Sequence, residues 1–406
     1  MKSRTGPLSG LRILEIGHYV AAPFAGRILA DLGAEVVKVE HPGVGDPARY
    51  WGALWENRSI WWSVHARNKR SMTLDLKKPE GRDLLLKLAE KSDAVLENFR
   101  PGQLERWGLG PEELARANPD CITVRISGYG QNGPYRNKPA FGLIGEAMGG
   151  IRYLTGYPNA AADMPPIRTG VSLGDSLAGL YGVIGVLAGL YSRGKRANRS
   201  AQVVDVALYE SVFSLMEGSL PEYGLLGKVR QPSGSALPTA APSNSYLTSD
   251  RFWICIAANS DPILARLAML IGRPDIPADP RFITNDARVA NAAALDAIIA
   301  EWVGGRTVRE VEDQLEGADV PCCRIYSIAD CAADPHFIDR GMVQTVDDPS
   351  LGGKVLHPGI VPRFEGQDTC DIQPGPALGA DTDAILRKLV GLSEAEISRL
   401  RGMEVV

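Results

Sequence analysis

The first 130 residues alternate between short apolar runs and amphipathic stretches of helical spacing. "LRILEIG" (Leu11–Gly17) is nearly continuous in apolar side chains, which predicts a strand buried on both faces. "AAPFAGRILADLG" (Ala21–Gly33) predicts a helix, with Pro23 in its first turn and Gly33 at its end. "AEVVKVE" (Ala34–Glu40) predicts a second strand. Strand, helix and strand at this spacing form a βαβ unit, whose strands must pair in parallel. The pattern continues with a helix over Pro79–Lys91 and a strand over Asp93–Asn98. A helix over Pro111–Asn118 and a strand over Cys121–Ser127 follow. This portion reads as a doubly wound α/β layer.

The most apolar stretch is "SLAGLYGVIGVLAGLY" (Ser176–Tyr191). As a helix its sixteen residues span about 24 Å at ~1.5 Å each, short of the ~30 Å of a bilayer core. A buried helix is therefore expected. Gly179, Gly182, Gly185 and Gly189 share one face, which lets another backbone approach closely. Glycine weakens intrinsic helicity, so packing must hold the segment.

After Tyr223 a Gly/Pro/Ser-rich stretch, "LLGKVRQPSGSALPTAAPSNS", reads as a linker or mobile loop. "RFWICIAA" (Arg251–Ala258) predicts a strand, and helices follow around Pro262–Ile271 and Val289–Val303. The expected division is a large domain over 1–225, a small one over 226–328, and a C-terminal part over 329–406 that returns to the large domain.

Composition narrows the class. At 406 residues the chain easily buries a large core. A net charge of −4 gives no global attraction to nucleic acid. The six cysteines (Cys121, Cys255, Cys322, Cys323, Cys331 and Cys370) form no CxxC and have no zinc-spaced histidine, so no metal site is expected. They read as reduced, mostly buried thiols of a cytoplasmic protein. Glu15 and His18 interrupt the N-terminal apolar run, which argues against a signal peptide.

Glu40 lies 23 residues past Gly17, about where a ribose-binding acid would stand in a dinucleotide fold. That fingerprint needs three glycines in its turn; here the turn is "GHYVAAP", where Tyr19 and Val20 would crowd a pyrophosphate. No P-loop or HExxH occurs. Asp175, in "RTGVSLGDSLAG", is the lone carboxylate at the mouth of the apolar helix. As an N-cap or first-turn residue it would accept backbone N–H bonds and be favoured in its ionised form. It is either a simple cap or a nucleophile. Lys69, Arg70, Lys77, Arg100 and Arg106, next to strand ends, could pair with phosphates or form a solvated basic rim. The Gly-rich run "SGYGQNGPYRNKPAFGLIGEAMGG" (Ser127–Gly150) either offers backbone N–H groups to a ligand or is an ordinary connection.

Together these stretches resemble the family III CoA-transferases, the group that includes formyl-CoA transferase and shares its fold with alpha-methylacyl-CoA racemase. The resemblance is carried by "LSGLRILEIGHYVAAPFAGRILADLGAEVVKVEHPGVGD", "NKRSMTLDLKKPEG", "ENFRPGQLERWGLG", "SGYGQNGPY", "TGVSLGDSLAGLYG", "VDVALYESV", "DPHFIDRG" and "PALGADTDAIL", in order along nearly the whole chain. It implies an α/β fold with a Rossmann-like large domain, a parallel sheet, a smaller α+β domain and an interlocked homodimer. It implies Asp175 as covalent nucleophile, and His41, Leu74, Lys77, Asn98, Phe99, Arg100 and Arg106 as lining for coenzyme A. The reaction expected is transfer of CoA from an acyl-CoA, succinyl-CoA or another dicarboxylyl-CoA, to a free acid, with no permanently bound cofactor. No nucleic-acid or membrane partner is expected. An acyl-CoA racemase or a non-catalytic CoA-binding protein are the alternatives.

The chain departs from the resemblance at several places. Phe141 stands where the racemase has a histidine, and it cannot carry a proton. Val20 stands where formyl-CoA transferase has a glutamine, and "SGSALPTAAPSN" (Ser233–Asn244) replaces a run of four glycines. The usual Gly-rich turn is replaced by "GKRANRS". Val20, Phe141 and Arg168 are expected to face the substrate, with Arg168, seven residues before Asp175, taking a second carboxylate of a C4–C6 acid.

Overall fold

The computed structural model describes residues 5–158, 163–195, 200–366 and 370–406. The replaced turn "GKRANRS" falls largely on 196–199, outside the described residues. The chain forms two compact units. The first comprises 1–152, 169–225 and 338–406, and the second 153–168 and 226–337.

The first unit is built on six strands: β1 (Arg12–Glu15), β2 (Glu35–Glu40), β3 (Lys69–Thr73), β4 (Ala94–Glu97), β5 (Ile122–Ser127) and β6 (Gln202–Ala207). Every pairing is parallel, and the spatial order is β3-β2-β1-β4-β5-β6. This is the doubly wound order, which reverses between β1 and β4 and leaves a ligand crevice at their carboxyl ends. Successive side chains enter opposite cores. Leu14, Val37, Val39, Met72 and Val95 pack on one face with Leu84, Leu85 and Leu88 of the helix Pro79–Ala89. Ile13, Val36, Leu96, Ile122 and Val124 pack on the other with Leu29 of the helix Ala21–Asp31. The last residues join the first core through Ile397, Leu400 and Val405. Asp381 accepts from the Ser71 backbone, which fastens them along β3.

The helix Leu173–Arg193 begins three residues before the apolar run. It is long and apolar enough to cross a membrane, yet its glycine face is occupied by protein. A Cβ on Gly182 would touch Ile126 at 3.3 Å and Val124 at 3.5 Å. One on Gly185 would lie 2.6 Å from Val204, and one on Gly189 2.7 Å from Ile122.

In the second unit an antiparallel sheet of Ser243–Leu247, Trp253–Ala257 and Cys322–Arg324 packs one face on helices. Ile254, Ile256, Leu264, Leu267, Ile299, Val303 and Leu315 form its core. The helix expected over Val289–Val303 is two helices, Asn285–Ala290 and Ala292–Gly304. Asn291 breaks it: its side-chain amide donates to the Ala287 carbonyl (2.9 Å), competing with the backbone ladder. The cysteines are less buried than expected. Cys121 is buried, but Cys255 and Cys323 are exposed.

Candidate active site

Asp175 is the third residue of its helix, so it is a first-turn residue and not the N-cap, which is Ser172. It is half-buried. Gly142, which opens the helix Gly142–Met148, presses its backbone against the carboxylate. A Cβ there would fall 2.1 Å from Asp175 Oδ2 and 2.7 Å from Cγ. Only glycine leaves room there for the carboxylate. Glu146, one turn further and 1% exposed, accepts a long bond from the Gly174 N–H (3.4 Å). Phe141 is 69% exposed beside this point. The Tyr19 ring lies 6.3 Å from Phe141 edge-on and 5.0 Å from Trp51. An aromatic wall therefore borders the carboxylate.

Tyr19 belongs to the loop between β1 and the helix Ala21–Asp31, and its φ of +64° is left-handed. For a bulky side chain that conformation is strained and needs outside support. Asp46 supplies it by accepting from the Tyr19 N–H (3.0 Å). Asn98, on the loop after β4, accepts from the His18 N–H (2.7 Å) and donates to the His18 carbonyl (2.8 Å). Asn98 thus positions this loop. Lys38, buried in β2, donates to the Gly17 carbonyl and pairs with Asp46 (2.7 Å) and Glu15 (3.1 Å). Burial opposes the Lys38 ammonium, but the Asp46, Glu15 and Glu40 carboxylates outweigh it and hold its pKa above the usual lysine value. Burial likewise opposes the Asp46 carboxylate, and Lys38 beside it keeps its pKa low. The pair is therefore charged, and it fixes the loop from beneath. Lys69 completes the network against Glu15 (2.7 Å), with its pKa lowered by burial to about 8.

Lys69 and Arg70 are thereby removed from the phosphate-binding set. Both are buried, and Arg70 pairs with Glu35 (2.7 Å) and Asp381 (3.1 Å). Continuous burial explains it: they lie inside a strand covered on both faces, where a charge must find a partner. His41, Leu74, Lys77 and Phe99 do converge. With His18, Asp75 and Trp107 they line a narrow cleft of about 60 Å³ at the carboxyl ends of β1 to β4. Phe99 stacks edge-on between His18 (5.2 Å) and Trp107 (5.2 Å). Burial and Lys38 lower His18 to about 4, so its ring is neutral near pH 7. Arg100 and Arg106 are exposed beyond this cleft, and Arg106 donates to Gln103 (2.6 Å). In the Gly-rich run, the Gln131 N–H is taken by Asp205 (2.9 Å). Val20 is 4% exposed, and it is Tyr19 beside it that reaches the aromatic wall. Arg168 is exposed and belongs to the second unit.

Sequence reasoning missed Gly142, Tyr19, Glu146, His18 and the Lys38–Asp46 pair. Lys38 carried a signal: a lysine inside an otherwise apolar parallel strand, "AEVVKVE".

Fold and site together define an α/β protein with a doubly wound sheet, a cleft at the strand ends and a half-buried carboxylate on the helix that precedes β6. The chain belongs to CoA-transferase family III, whose profile matches residues 8–382, and it is a CoA-transferase. Succinyl-CoA–D-citramalate CoA-transferase of Chloroflexus aurantiacus is 47% identical over 401 residues, covering 98% of each chain. The alpha subunit of succinyl-CoA–L-malate CoA-transferase of the same organism is 38% identical, covering 98% of this chain and 92% of that one. A CAIB/BAIF family protein from Brucella suis, of known crystal structure, superposes with a TM-score of 0.82 at 34% identity. It covers 95% of this chain and 100% of that one.

Proposed function

We propose that this enzyme moves CoA from succinyl-CoA to a free C4–C6 dicarboxylic acid, with the Asp175 carboxylate as covalent nucleophile. The observation that carries the reading is the bare backbone of Gly142 against that carboxylate, which seats it in a place that any side chain at 142 would take. The two Chloroflexus relatives support the donor, since both names specify succinyl-CoA, and their acceptors are hydroxylated dicarboxylic acids.

Asp175 attacks the thioester carbonyl, giving a mixed anhydride and CoA thiolate. The thiolate is a fair leaving group because a thiol's pKa is about 8.5. It returns to the aspartyl carbonyl, forming an aspartyl-CoA thioester and releasing succinate. The acceptor carboxylate then attacks, and the two steps run in reverse with the new acyl group. Water must be kept out throughout, and the wall of Tyr19, Trp51 and Phe141 serves that end. His41, Leu74, Lys77 and Phe99 hold the distant part of CoA, whose binding energy orients the thioester. The active form is assigned as an interlocked homodimer. The exposed stripe Leu180, Ile184, Leu187 and Tyr191 on the Asp175 helix supports a partner surface.

A panel of carboxylic acids incubated with succinyl-CoA, read by mass spectrometry, identifies the acceptor. Hydroxylamine trapping during turnover should mark the Asp175 peptide, and Asp175→Asn should abolish exchange. Full exchange by the Asp175→Asn protein would refute the mechanism.

A further inference from the structure

The second unit carries a pair of thiols that the transfer chemistry leaves unused. Within its sheet, Cys255 and Cys323 are direct cross-strand partners, and Ser245 lies opposite Cys255 on the other side. Alternation turns Ile254 and Ile256 into the core and Cys255 outward. By the same alternation Cys323 points out while its neighbour Cys322 packs against the core. The bonds Ala257 N–H to Pro321 carbonyl (3.0 Å) and Ile325 N–H to Trp253 carbonyl (2.8 Å) flank the pair. Cys255 and Cys323 therefore occupy a hydrogen-bonded position, where Cα atoms sit about 5.5 Å apart. That lies inside the disulfide range of about 4.4–6.8 Å.

The two sulfurs share an open groove, lined also by Ser235, Leu237, Ser245 and Pro321, with a volume of about 540 Å³. A small solute reaches them there. The Ser245 hydroxyl lies 3.4 Å from Cys255 Sγ and can donate to its thiolate. Cys323 donates to the Arg324 carbonyl (3.2 Å). The Ser245 contact makes Cys255 the first nucleophile, while burial, the Glu312 carboxylate and Cys255 push the Cys323 thiol up.

We propose that Cys255 and Cys323 form an oxidation-sensitive dithiol that a hydroperoxide converts to a cross-strand disulfide. The Cys255 thiolate attacks the O–O bond, becoming a sulfenic acid and releasing the alcohol, or water from hydrogen peroxide. The Cys323 thiol then attacks that sulfur, and the S–O bond breaks with loss of water. The sum is two thiols plus one hydroperoxide giving one disulfide, one alcohol and one water. Side chains at hydrogen-bonded positions diverge more than those at the alternate positions, so the bridge is strained and easily reduced. It is a reversible modification rather than a structural staple.

The test treats the full-length enzyme with hydrogen peroxide and maps its peptides without reduction. The expected result is a linked pair of peptides containing Cys255 and Cys323, 2 Da lighter than their sum. It should be lost in Cys255→Ser, kept in Cys322→Ser and reversed by dithiothreitol. As a second measurement, phenylarsine oxide, which bridges two neighbouring thiols, should be retained by the reduced wild type and not by Cys255→Ser or Cys323→Ser. Oxidation that leaves both cysteines unlinked, or a bridge to Cys322 instead, would overturn the proposal. Equal arsenical retention by wild type and Cys255→Ser would do the same.

Discussion

Replacing Gly142 by alanine tests whether the Asp175 carboxylate is held where an acyl carbon must meet it. The new Cβ would sit 2.1 Å from Oδ2 and 2.7 Å from Cγ. Non-bonded heavy atoms rest at about 3.5 Å, so the carboxylate must retreat by roughly 1 Å. A displacement of that size at a reacting group lowers rate about 10²-fold, or ~2.7 kcal/mol of barrier. Folding should barely notice. The atoms displaced are the end of a side chain, and alanine is favoured over glycine in a helix by up to ~1 kcal/mol. The assay is kcat/KM for thioester exchange alongside the thermal midpoint. Gly185→Ala is the contrasting variant: its Cβ would lie 2.6 Å from Val204 in the core. Overpacking costs about 1–3 kcal/mol, so Gly185→Ala should lose stability and keep kcat. A Gly142→Ala enzyme with exchange within about threefold of wild type would refute the placement of the nucleophile.

His65→Gln tests a pH dependence. Burial and the nearby Arg27 and Lys69 cations lower His65 to about 3, and its Nδ1 is sealed without a hydrogen-bond partner. The unfolded chain binds that proton below about pH 6.5 while the folded one refuses it, so stability is complete above pH 6.5 and falls with acidification. Between pH 7.5 and 5.0 this residue alone removes about 2 kcal/mol; urea unfolding at both values should show that loss shrinking in the variant, and an equal loss in both proteins would contradict it. Lys38→Met strands the Asp46 carboxylate in the core and leaves Glu15 with Lys69 alone, and should destabilise by about 3–5 kcal/mol in urea titrations at pH 7.5; wild-type stability would show that the network holds nothing. Asn98→Ala frees both backbone groups of His18, and should raise KM for the acyl-CoA about tenfold, ~1.4 kcal/mol, with kcat less affected; an unchanged KM would exclude the clamp.

Four strands of the parallel layer, β1, β2, β4 and β5, were legible because burial on both faces leaves a largely apolar run, whereas β3, which reads "KRSMT", and the partly exposed β6 carry no such signal. The boundaries of β1, β2 and β5 shifted by only one or two residues. Asp175 stood out only through the family resemblance, because from the residues alone a carboxylate heading an apolar helix also reads as a simple cap. Gly142 was not legible: it lies 33 residues away, and nothing local marks which of several glycines will meet a carboxylate. Lys69 and Arg70 were misread for a related reason. Their neighbours in sequence are basic, but their partners Glu15, Glu35 and Asp381 come from other elements, and register alone brings them together. The outward position of Cys255 and Cys323 likewise follows from strand register, which single-residue burial tendencies do not contain.

The glycines of the long helix do more than permit close packing; they aim it. Gly189 meets Ile122 at the start of β5, whereas Gly182 meets Val124 and Ile126 towards its end. The helix therefore runs antiparallel to β5, and its first turn arrives at the carboxyl edge of the sheet, where parallel folds gather their ligands. A Cβ on Gly179 would lie 2.8 Å from the Ala21 carbonyl, so that glycine also docks the helix against the end of the loop that carries Tyr19. Asp175 stands one turn before Gly179 and inherits this placement. Position along the glycine face should then sort the consequences of substitution. At Gly185 and Gly189 a methyl group loosens the core and leaves the head of the helix in place. At Gly179 it tilts the carboxylate away from the loop, so Gly179→Ala should lose exchange activity out of proportion to stability. Proportionate losses at all three positions would mean that the helix moves as a rigid rod and that its glycines do not set the site.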